Sequence, residues 1–580
     1  MFPDIWKISH ITALYKYKGS KSDKNNYRPI SLLPTLSKLC ESVIHKRLLD
    51  HGIENSVISC KQAAYLKGDS TINQLLYIVH KIRMSWTKGD ITHGIFLDVK
   101  SAFDKVWHKG LLAKLEQINI GGKLLNLFQS YLANRRQIVV VDGKLSAKKE
   151  VKAGIPQGSR LGPLLFIIYI NDITENIESD ILIFADDTSL LATGKNTEIT
   201  SAILNRDLNR ISEWAKKWKV NFNADKSEEI IFSNAKQDNI VPILLNGEPV
   251  KKVEVHKHLG IYLSYNLDWS VHVHHICMKA NRKLAVIRSV KMLKRQTLDV
   301  LYKLQVRSLL DYSLPVFYNS LCTKQKLRLD KIQYTAAKIV SGALHLTSKE
   351  RLYEELGWET IQSRTEFLGL SLFHKIVQNQ TRPLIRDCLP PRSVNHETLR
   401  SGGFINFPYK GLKLANSFFP FFTKRYNLLS AKTKKLPLDE FKIILSRTLK
   451  PTKFKHYNFG QKYPNMLLTR IRVNCSYLKA HSYTTGHSNT TECSFCNNKI
   501  ENSLHFIIRC PHFADQRQTL FDLMEQKYIP NFKKLSMKRQ FEILVYGYEP
   551  QNPEMKRING NILMNTQNYI LKTKRFNKNV

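Results

Sequence analysis

The sequence predicts an α+β fold, with an antiparallel sheet in the first half of the chain and a mostly helical, basic region after it. Two apolar stretches rich in β-branched and bulky residues, 94–97 and 181–191, have the composition of strands. Apolar residues recur at helical spacing in 204–218 and in several later stretches. Cysteine and histidine cluster after residue 490, which indicates a small region of its own near the C-terminus.

The composition is that of a large globular protein with a polyanionic partner. The 580 residues are 43% hydrophobic, enough for several domains with cores of their own. Lysine and arginine number 89 against 48 acids, and a net charge of +41 favours nucleic acid as the partner. No apolar run reaches ~18 residues, so no membrane partner is expected. The nine cysteines are odd in number and scattered, which predicts an intracellular protein of the cytoplasm and nucleus.

Three aspartates stand where predicted strands end. Asp98 follows one strand, and Asp186 and Asp187 lie between two apolar runs that predict a hairpin with both acids at its tip. Carboxylates beside a hydrophobic sheet repel each other and lose hydration unless a cation compensates. Mg²⁺ prefers carboxylate oxygens, and a pair of such ions serves phosphoryl transfer. We therefore expect these three residues to be catalytic and to bind two Mg²⁺ ions.

A glycine-containing stretch, residues 153–163, lies between the two acidic strands in the sequence. Its glycines, Gly158 among them, permit close approach of the backbone to a ligand. Gln157 offers both a hydrogen-bond donor and an acceptor. The stretch is therefore a candidate substrate-binding loop.

Three motifs in chain order resemble the palm of a reverse transcriptase, most closely that of non-LTR (LINE-type, jockey-like) retrotransposons. They are Phe-Leu-Asp-Val at 96–99, Gly-Ile-Pro-Gln-Gly-Ser at 154–159 and Phe-Ala-Asp-Asp at 184–187. The resemblance implies a right-hand polymerase of fingers, palm and thumb. Its implied activity is RNA-directed DNA synthesis, in which a DNA primer is extended on an RNA template from deoxynucleoside triphosphates.

The same resemblance assigns roles to four further residues. Lys16 and Arg28 would contact the incoming triphosphate or the template, unless they are solvated surface cations. Phe103 would be the steric gate that clashes with a 2′-hydroxyl, or else an ordinary core phenylalanine. Lys226 would donate a proton to pyrophosphate, orient the triphosphate, or serve a structural role.

Residues 62–71 depart from the family pattern. The family has glycine and arginine where this chain has Ala64 and Leu66. Any nucleotide or template contact made by that arginine is therefore not expected here, although Lys67 follows directly.

A second candidate site follows from cysteine spacing. Cys493, Cys496, His505 and Cys510 have the spacing of a tetrahedral Zn²⁺ site, and similar clusters follow the reverse transcriptase in related elements. The alternative is a group of buried free thiols. The cluster of His272, His274, His275 and Cys277 also invites a zinc hypothesis, but the family has a histidine here without metal.

The predicted order of domains follows from these motifs. We expect fingers and palm at 1–264, a thumb at 265–330, a basic helical region at 331–480, a zinc-knuckle region at 481–547 and a mobile tail at 548–580. The match begins inside the early fingers, so we expect a truncated copy without the endonuclease domain of full-length elements. Two alternatives stay open: an inactive relic that only binds nucleic acid, and a group II intron-type maturase.

Overall fold

The computed structural model describes the whole chain except residues 18, 234–240, 393–402, 408–411, 450–458, 497–499, 549–552 and 577–580. The chain divides into two compact units. Unit 1 contains residues 1–269 and 372–431, and unit 2 contains residues 270–371 and 432–580. Within the described ranges, no helix is both long and apolar enough to cross a membrane.

The strands and helices have the following bounds. The strands are β1 Ile8–Tyr15, β2 Tyr27–Leu32, β3 Ile91–Leu97, β4 Arg136–Val141, β5 Lys144–Leu145, β6 Lys149–Glu150, β7 Asp180–Phe184, β8 Asp187–Gly194, β9 Glu228–Phe232, β10 Leu244–Leu245, β11 Glu248–Pro249, β12 Lys251–Lys252, β13 Val255–His258 and β14 Ile261–Ser264. The helices are α1 Thr35–Glu54, α2 Thr71–Thr87, α3 His108–Gln117, α4 Gly122–Leu132, α5 Gly162–Ile170, α6 Thr197–Trp218, α7 Ser270–Ser289, α8 Arg295–Tyr302, α9 Ser308–Asp311, α10 Leu314–Phe317, α11 Thr323–Ser341, α12 Lys349–Leu356, α13 Ile361–Val377, α14 Pro383–Arg386, α15 Leu412–Ala415, α16 Phe418–Asn427, α17 Ala431–Lys434, α18 Leu438–Leu449, α19 Lys462–Arg472, α20 Lys479–Thr484, α21 Ala514–Lys527, α22 Met537–Tyr546 and α23 Pro553–Lys572.

A five-stranded sheet in the order β12-β9-β3-β8-β7 forms the centre of unit 1. Strand β3 is buried along its whole length and pairs antiparallel with β8 and β9. Its apolar residues share one core with those of β7, β8, α5 and α6. Helix α6 begins where the Asn196 side chain accepts a hydrogen bond from the Ile199 N–H, which satisfies one of the free donors of its first turn. The predicted antiparallel sheet is present.

A second sheet of unit 1 runs in the order β2-β1-β4-β5, with β6 also paired to β4. Strands β1 and β4 are parallel, whereas β1 and β2 are antiparallel. The hairpin of β4 and β5 turns at Asp142 and Gly143, whose φ values of 49° and 77° are both positive. An Asp-Gly pair is typical of such a hairpin, because the turn needs positive φ at both central residues.

Residues 372–431 belong to unit 1 rather than to a separate basic region. The Arg382 guanidinium donates hydrogen bonds to the backbone carbonyls of Ile58, at 3.2 Å, and Ser59, at 3.0 Å. Gly68 lies against the carbonyl of Gln380, so close that a Cβ would stand 3.0 Å from that oxygen. The predicted region 331–480 is thus divided between the two units.

Unit 2 ends in a packed helix where the sequence analysis predicted a mobile tail. Helix α23 places Ile562, Leu563, Tyr569 and Ile570 in one core with residues of α19, α21 and α22. These apolar residues recur at helical spacing, and burying them offsets the entropy lost on ordering the helix. The prediction was wrong because it gave too much weight to the asparagine and lysine content of this stretch.

Candidate active site and cysteine–histidine cluster

The acidic hairpin is formed by β7 and β8. Phe184 pairs with Asp187, so the two turn residues are Ala185 and Asp186, and Asp187 already begins β8. The sequence predicted both aspartates at the tip, whereas the turn lies one residue earlier. Ala185 adopts the left-handed conformation, with φ of 56°, as the first residue of such a tight turn requires.

Asp98 lies next to this hairpin because of the strand register. Leu97, the last residue of β3, pairs antiparallel with Thr188 of β8, which sets Asp98 opposite Asp187. The backbone of Asp98 is held on its other side. Its N–H donates to Ser227 Oγ at 3.2 Å, and its carbonyl accepts from the Asn223 N–H at 2.8 Å. The structure therefore brings the three predicted aspartates together, and we call them the acid cluster.

The electrostatics of the acid cluster favour a bound cation. Burial, together with the charges of Asp186 and Asp98, raises the pKa of Asp187 to about 6. Burial and the charge of Asp98 also raise the pKa of Asp186, while the charge of Arg28 acts in the opposite direction. In the described part of the chain, none of the three carboxylates has a salt bridge to a basic residue. Their mutual repulsion is thus left for a cation to neutralise.

The loop 153–159, here called the glycine loop, contacts strand β2 and the segment around Asp104. Gly158 has φ of 122°, and a Cβ on it would stand 2.4 Å from the carbonyl oxygen of Ser31 in β2. Gln157 accepts a hydrogen bond from the Ser31 N–H at 2.7 Å through its carbonyl and donates one from Nε2 to Asp104 Oδ1 at 3.1 Å. Glycine is thus needed at position 158 because the backbone approaches β2 of the same chain, whereas the sequence analysis expected a close approach to a ligand.

Phe103 lies directly after the Asp98 strand, in a short 3-10 helix of residues Phe103–Lys105. Its ring stacks on that of Phe166 in α5, with 4.6 Å between centroids and 21° between planes. The Ile155 N–H of the glycine loop donates to the Phe103 carbonyl at 2.9 Å. The ring is only partly buried, so it can serve as packing and still present an edge to a ligand.

The three predicted cations occupy different positions around these elements. Arg28 is exposed on β2, near enough to Asp186 to lower the pKa of that carboxyl. Lys16 donates from Nζ to the Asn25 carbonyl at 2.9 Å, and its charge partly offsets the burial that raises the pKa of Asp104. Lys226 is exposed in the segment whose residues Asn223 and Ser227 hold the Asp98 backbone.

Tyr65 is a residue near the acid cluster that the sequence analysis did not single out. The residue is 53% exposed, and it has a φ of 59°, which is unusual for a bulky residue. Burial of the phenol raises its pKa, as does the charge of Asp186. Its neighbours Ala64 and Leu66, which replace the family's glycine and arginine, are both buried. The replacement of the family's glycine and arginine by Ala64 and Leu66 was the sequence signal that could have drawn attention to Tyr65.

The four residues of the second predicted site lie together in unit 2. The ligand atoms of Cys493, Cys496, His505 and Cys510 are all within 4.8 Å of one another. The Sγ atoms of Cys493 and Cys510 are 3.9 Å apart, and Cys496 Sγ is 3.5 Å from His505 Nε2. Burial, together with the neighbouring Cys493 thiol, raises the pKa of Cys510 to about 12. In the described residues the histidines near position 272 form no comparable cluster.

Comparison with known proteins agrees with the arrangement in unit 1. Residues 18–266 match the family described as "Reverse transcriptase (RNA-dependent DNA polymerase)". This chain contains a reverse transcriptase domain. The matched range includes the acid cluster, the glycine loop, Phe103 and Arg28, whereas Lys16 lies two residues before it.

Curated proteins that are similar to this chain include RNA-directed DNA polymerases of mobile elements, the jockey element among them. The chain is 27% identical over 410 residues to the "Probable RNA-directed DNA polymerase from transposon X-element" of Drosophila melanogaster, covering 69% of this chain and 45% of that protein. It is 33% identical over 358 residues to the "RNA-directed DNA polymerase from mobile element jockey" of the same organism, covering 59% and 38%. The chain spans less than half the length of these relatives.

Among solved structures, the chain is similar to apo telomerase from Candida tropicalis, at 12% identity and a TM-score of 0.38. That similarity covers 67% of this chain and 64% of the other. The reverse transcriptase domain and the mixed sheets and helices of unit 1 agree with the right-hand polymerase class of fold.

Proposed function

We propose that this chain is the RNA-directed DNA polymerase of a non-LTR retrotransposon, which extends a DNA primer on an RNA template. The observation that carries the proposal is the acid cluster, in which Asp98 from one strand meets the Asp186–Asp187 hairpin. The glycine loop, whose Ile155 N–H donates to the Phe103 carbonyl, and the partly buried Phe103 ring would bind the nucleotide beside it.

The acid cluster offers the carboxylate oxygens that divalent cations prefer. Its donor set is three carboxylates, and burial together with the charge of Asp98 raises the pKa of Asp186 and Asp187. Asp98, Asp186 and Asp187 would hold two Mg²⁺ ions, the cation that prefers such oxygens. Bound there, Mg²⁺ lowers the pKa of the attacking hydroxyl and stabilises the leaving pyrophosphate.

The other residues of the site position the substrates. Phe103 would lie under the sugar of the incoming nucleotide and exclude a 2′-hydroxyl, while the glycine loop, with Gln157 and Gly158, would contact the nucleotide. Lys16 and Arg28 would neutralise the triphosphate or contact the template, and Lys226 would orient the triphosphate or give pyrophosphate a proton. The primer 3′-hydroxyl would then attack the α-phosphate, and alignment would supply much of the rate.

We extend the proposal to the remaining regions. Residues 265–330 would act as a thumb and the basic stretch that follows would contact RNA or DNA, since it has far more lysine and arginine than acid. Cys493, Cys496, His505 and Cys510 would bind Zn²⁺, because three thiols and an imidazole within 4.8 Å match its usual ligands. The chain would work inside the cell, in cytoplasm and nucleus, where its nine free cysteines stay reduced.

Primer extension on poly(rA)/oligo(dT) with Mg²⁺ tests the polymerase proposal. The wild-type chain should incorporate dTMP, and Asp186→Asn should reduce incorporation by at least ~100-fold, because a ligand charge is lost. Asp225→Asn, at an exposed acid in a neighbouring loop, is the matched control and should keep full activity. Equal incorporation by wild type and Asp186→Asn would reject the assignment, and incorporation by neither would favour a relic that only binds nucleic acid.

The zinc proposal has a separate test. Purified chain should contain one equivalent of zinc, as measured by mass spectrometry of the metal, and Cys510→Ser should lose it. Cys388→Ser, at another buried cysteine, should retain zinc and is the control. Absence of zinc from a folded wild-type chain refolded with Zn²⁺ would favour buried free thiols.

A further inference from the structure

The Gln62 side chain lies under the acidic turn and is completely buried. Its Oε1 accepts a hydrogen bond from the Ala185 N–H at 3.2 Å, and another from the Ala64 N–H at 2.9 Å. Ala185 immediately precedes Asp186. A single amide oxygen thus joins the segment around residue 62 to the turn that carries a catalytic acid.

Backbone hydrogen bonds fix where this amide stands. Ala63 donates to the Ile183 carbonyl at 3.0 Å, and the Ile183 N–H donates to the Lys61 carbonyl at 3.0 Å. Gln62 therefore pairs with Ile183 as a short parallel bridge at the edge of the hairpin. In the part of the chain that the structure describes, Gln62 Nε2 has no hydrogen-bond partner, so the oxygen carries the connection.

The turn has a specific need for this contact. Ala185 is 5% exposed and adopts a left-handed conformation, which is energetically unfavourable for any residue that has a Cβ. Without Gln62, its N–H would be a buried donor with no acceptor, and the backbone would gain by rotating out of the left-handed region. Such a rotation would displace Asp186 relative to Asp98.

We propose that Gln62 is a positioning residue of this polymerase, whose amide oxygen holds the Ala185–Asp186 turn in the conformation that aligns the acid cluster. The inference rests on the proposed function for its catalytic consequence. Gln62 touches no substrate. It acts through the geometry of the turn, so its loss affects turnover rather than substrate binding.

The test uses Gln62→Met, which keeps the volume of the side chain and removes the acceptor. We expect kcat for dTMP incorporation at saturating Mg²⁺ to fall by ~10-fold or more, with KM values for dTTP and primer within about twofold of wild type. Gln74→Met is the matched control, because Gln74 is 1% exposed and neither of its amide atoms has a partner among the described residues. It should leave kcat unchanged.

A second readout does not depend on activity. Hydrogen exchange at the Ala185 amide should become about tenfold faster in Gln62→Met and stay at the wild-type rate in Gln74→Met. An inactive wild type would reject the polymerase proposal, while the exchange rate would still decide whether Gln62 holds the turn. Unchanged exchange at Ala185, or a kcat within twofold of wild type in an active chain, would overturn the inference.

Adding Ala185→Gly to Gln62→Met separates positioning from general loss of structure. Glycine adopts the left-handed conformation without penalty, so the double variant should recover at least ~3-fold of the lost kcat. A fall in kcat that glycine does not relieve, and that follows the loss of folded protein in circular dichroism, would also overturn the inference. If Gln62→Met does not fold, Gln62→Asn, which withdraws the same amide by one methylene, takes its place with the same expected results.

Discussion

A buried ion network in unit 2 offers a quantitative test of the structure. Glu355, near the end of α12, is almost fully buried and accepts hydrogen bonds from Arg295 Nη1 at 2.8 Å and Arg472 Nε at 2.9 Å. Burial alone would raise the pKa of Glu355, but the charges of Arg472 and Arg295 outweigh it and leave the pKa below its usual range. The network connects α8, α12 and α19, which are far apart in the sequence.

The substitution Glu355→Gln removes the one negative charge that two buried guanidinium groups share. Removing one partner of a buried ion pair costs about 3–5 kcal/mol, because the other charge stays buried without compensation. For a folding unit of roughly 250 residues, each kcal/mol lowers Tm by about 2–4 °C. The transition of unit 2 should therefore fall by roughly 6–20 °C.

Differential scanning calorimetry of the full chain, with hydrogen exchange of α12 and α19 to identify the transition, measures this effect. Glu354→Gln is the control, since Glu354 is the preceding residue on the same helix and is exposed. It should shift stability by less than ~0.5 kcal/mol. Equal Tm values for Glu355→Gln and Glu354→Gln would show that the network is worth little, and the reasoning from burial would fail.

Three further predictions concern unit 1. Burial lowers the pKa of His80 to about 4, so the unfolded chain binds a proton more readily than the folded one between about pH 6.5 and 4, and stability falls as pH drops through that window. His80→Phe should remove up to about 3 kcal/mol of that fall, as measured by urea unfolding at pH 7 and pH 4; an unaltered pH dependence would contradict it. Gly158→Ala should lower both stability and activity, because its Cβ would stand 2.4 Å from a backbone oxygen, whereas Gly121→Ala, with open space around it, should not. Phe103→Val should raise the kcat/KM for ribonucleotides relative to deoxynucleotides by about tenfold, and an unchanged ratio would make Phe103 a packing residue.

Local chemistry explains what the sequence could predict. The strand that ends just before Asp98, the hairpin that turns before Asp187 and the Asp142–Gly143 turn all follow from apolar, β-branched composition and from turn residues within a few positions. The order of the three motifs along the chain then predicted that Asp98, Asp186 and Asp187 lie close together. The cluster of Cys493, Cys496, His505 and Cys510 was also predictable, because the four residues have a recognisable spacing in the sequence.

Long-range contacts were beyond such reasoning. The hydrogen bonds of Arg382 to the carbonyls of Ile58 and Ser59 join residues more than 300 positions apart, and a backbone carbonyl has no sequence signature. The predicted domain boundaries therefore missed the return of residues 372–431 to unit 1. The C-terminal helix, in contrast, could have been predicted, because its apolar residues recur at helical spacing within a stretch rich in asparagine and lysine.

The acid cluster combines several unfavourable features in one short hairpin, and this explains why it needs support from outside. Burial and the charge of Asp98 raise the pKa of both Asp186 and Asp187, and the left-handed Ala185 costs about 1 kcal/mol or more. The strain lies at Ala185 in the turn, whereas the repulsion extends from the turn to Asp187 in β8 and to Asp98 after β3. The hydrogen bond from the Ala185 N–H to Gln62 Oε1 stabilises the turn, and divalent cations would neutralise the charge of the three carboxylates. Folding and metal binding should therefore be coupled at this site, with metal affinity falling wherever the support of the turn is weakened.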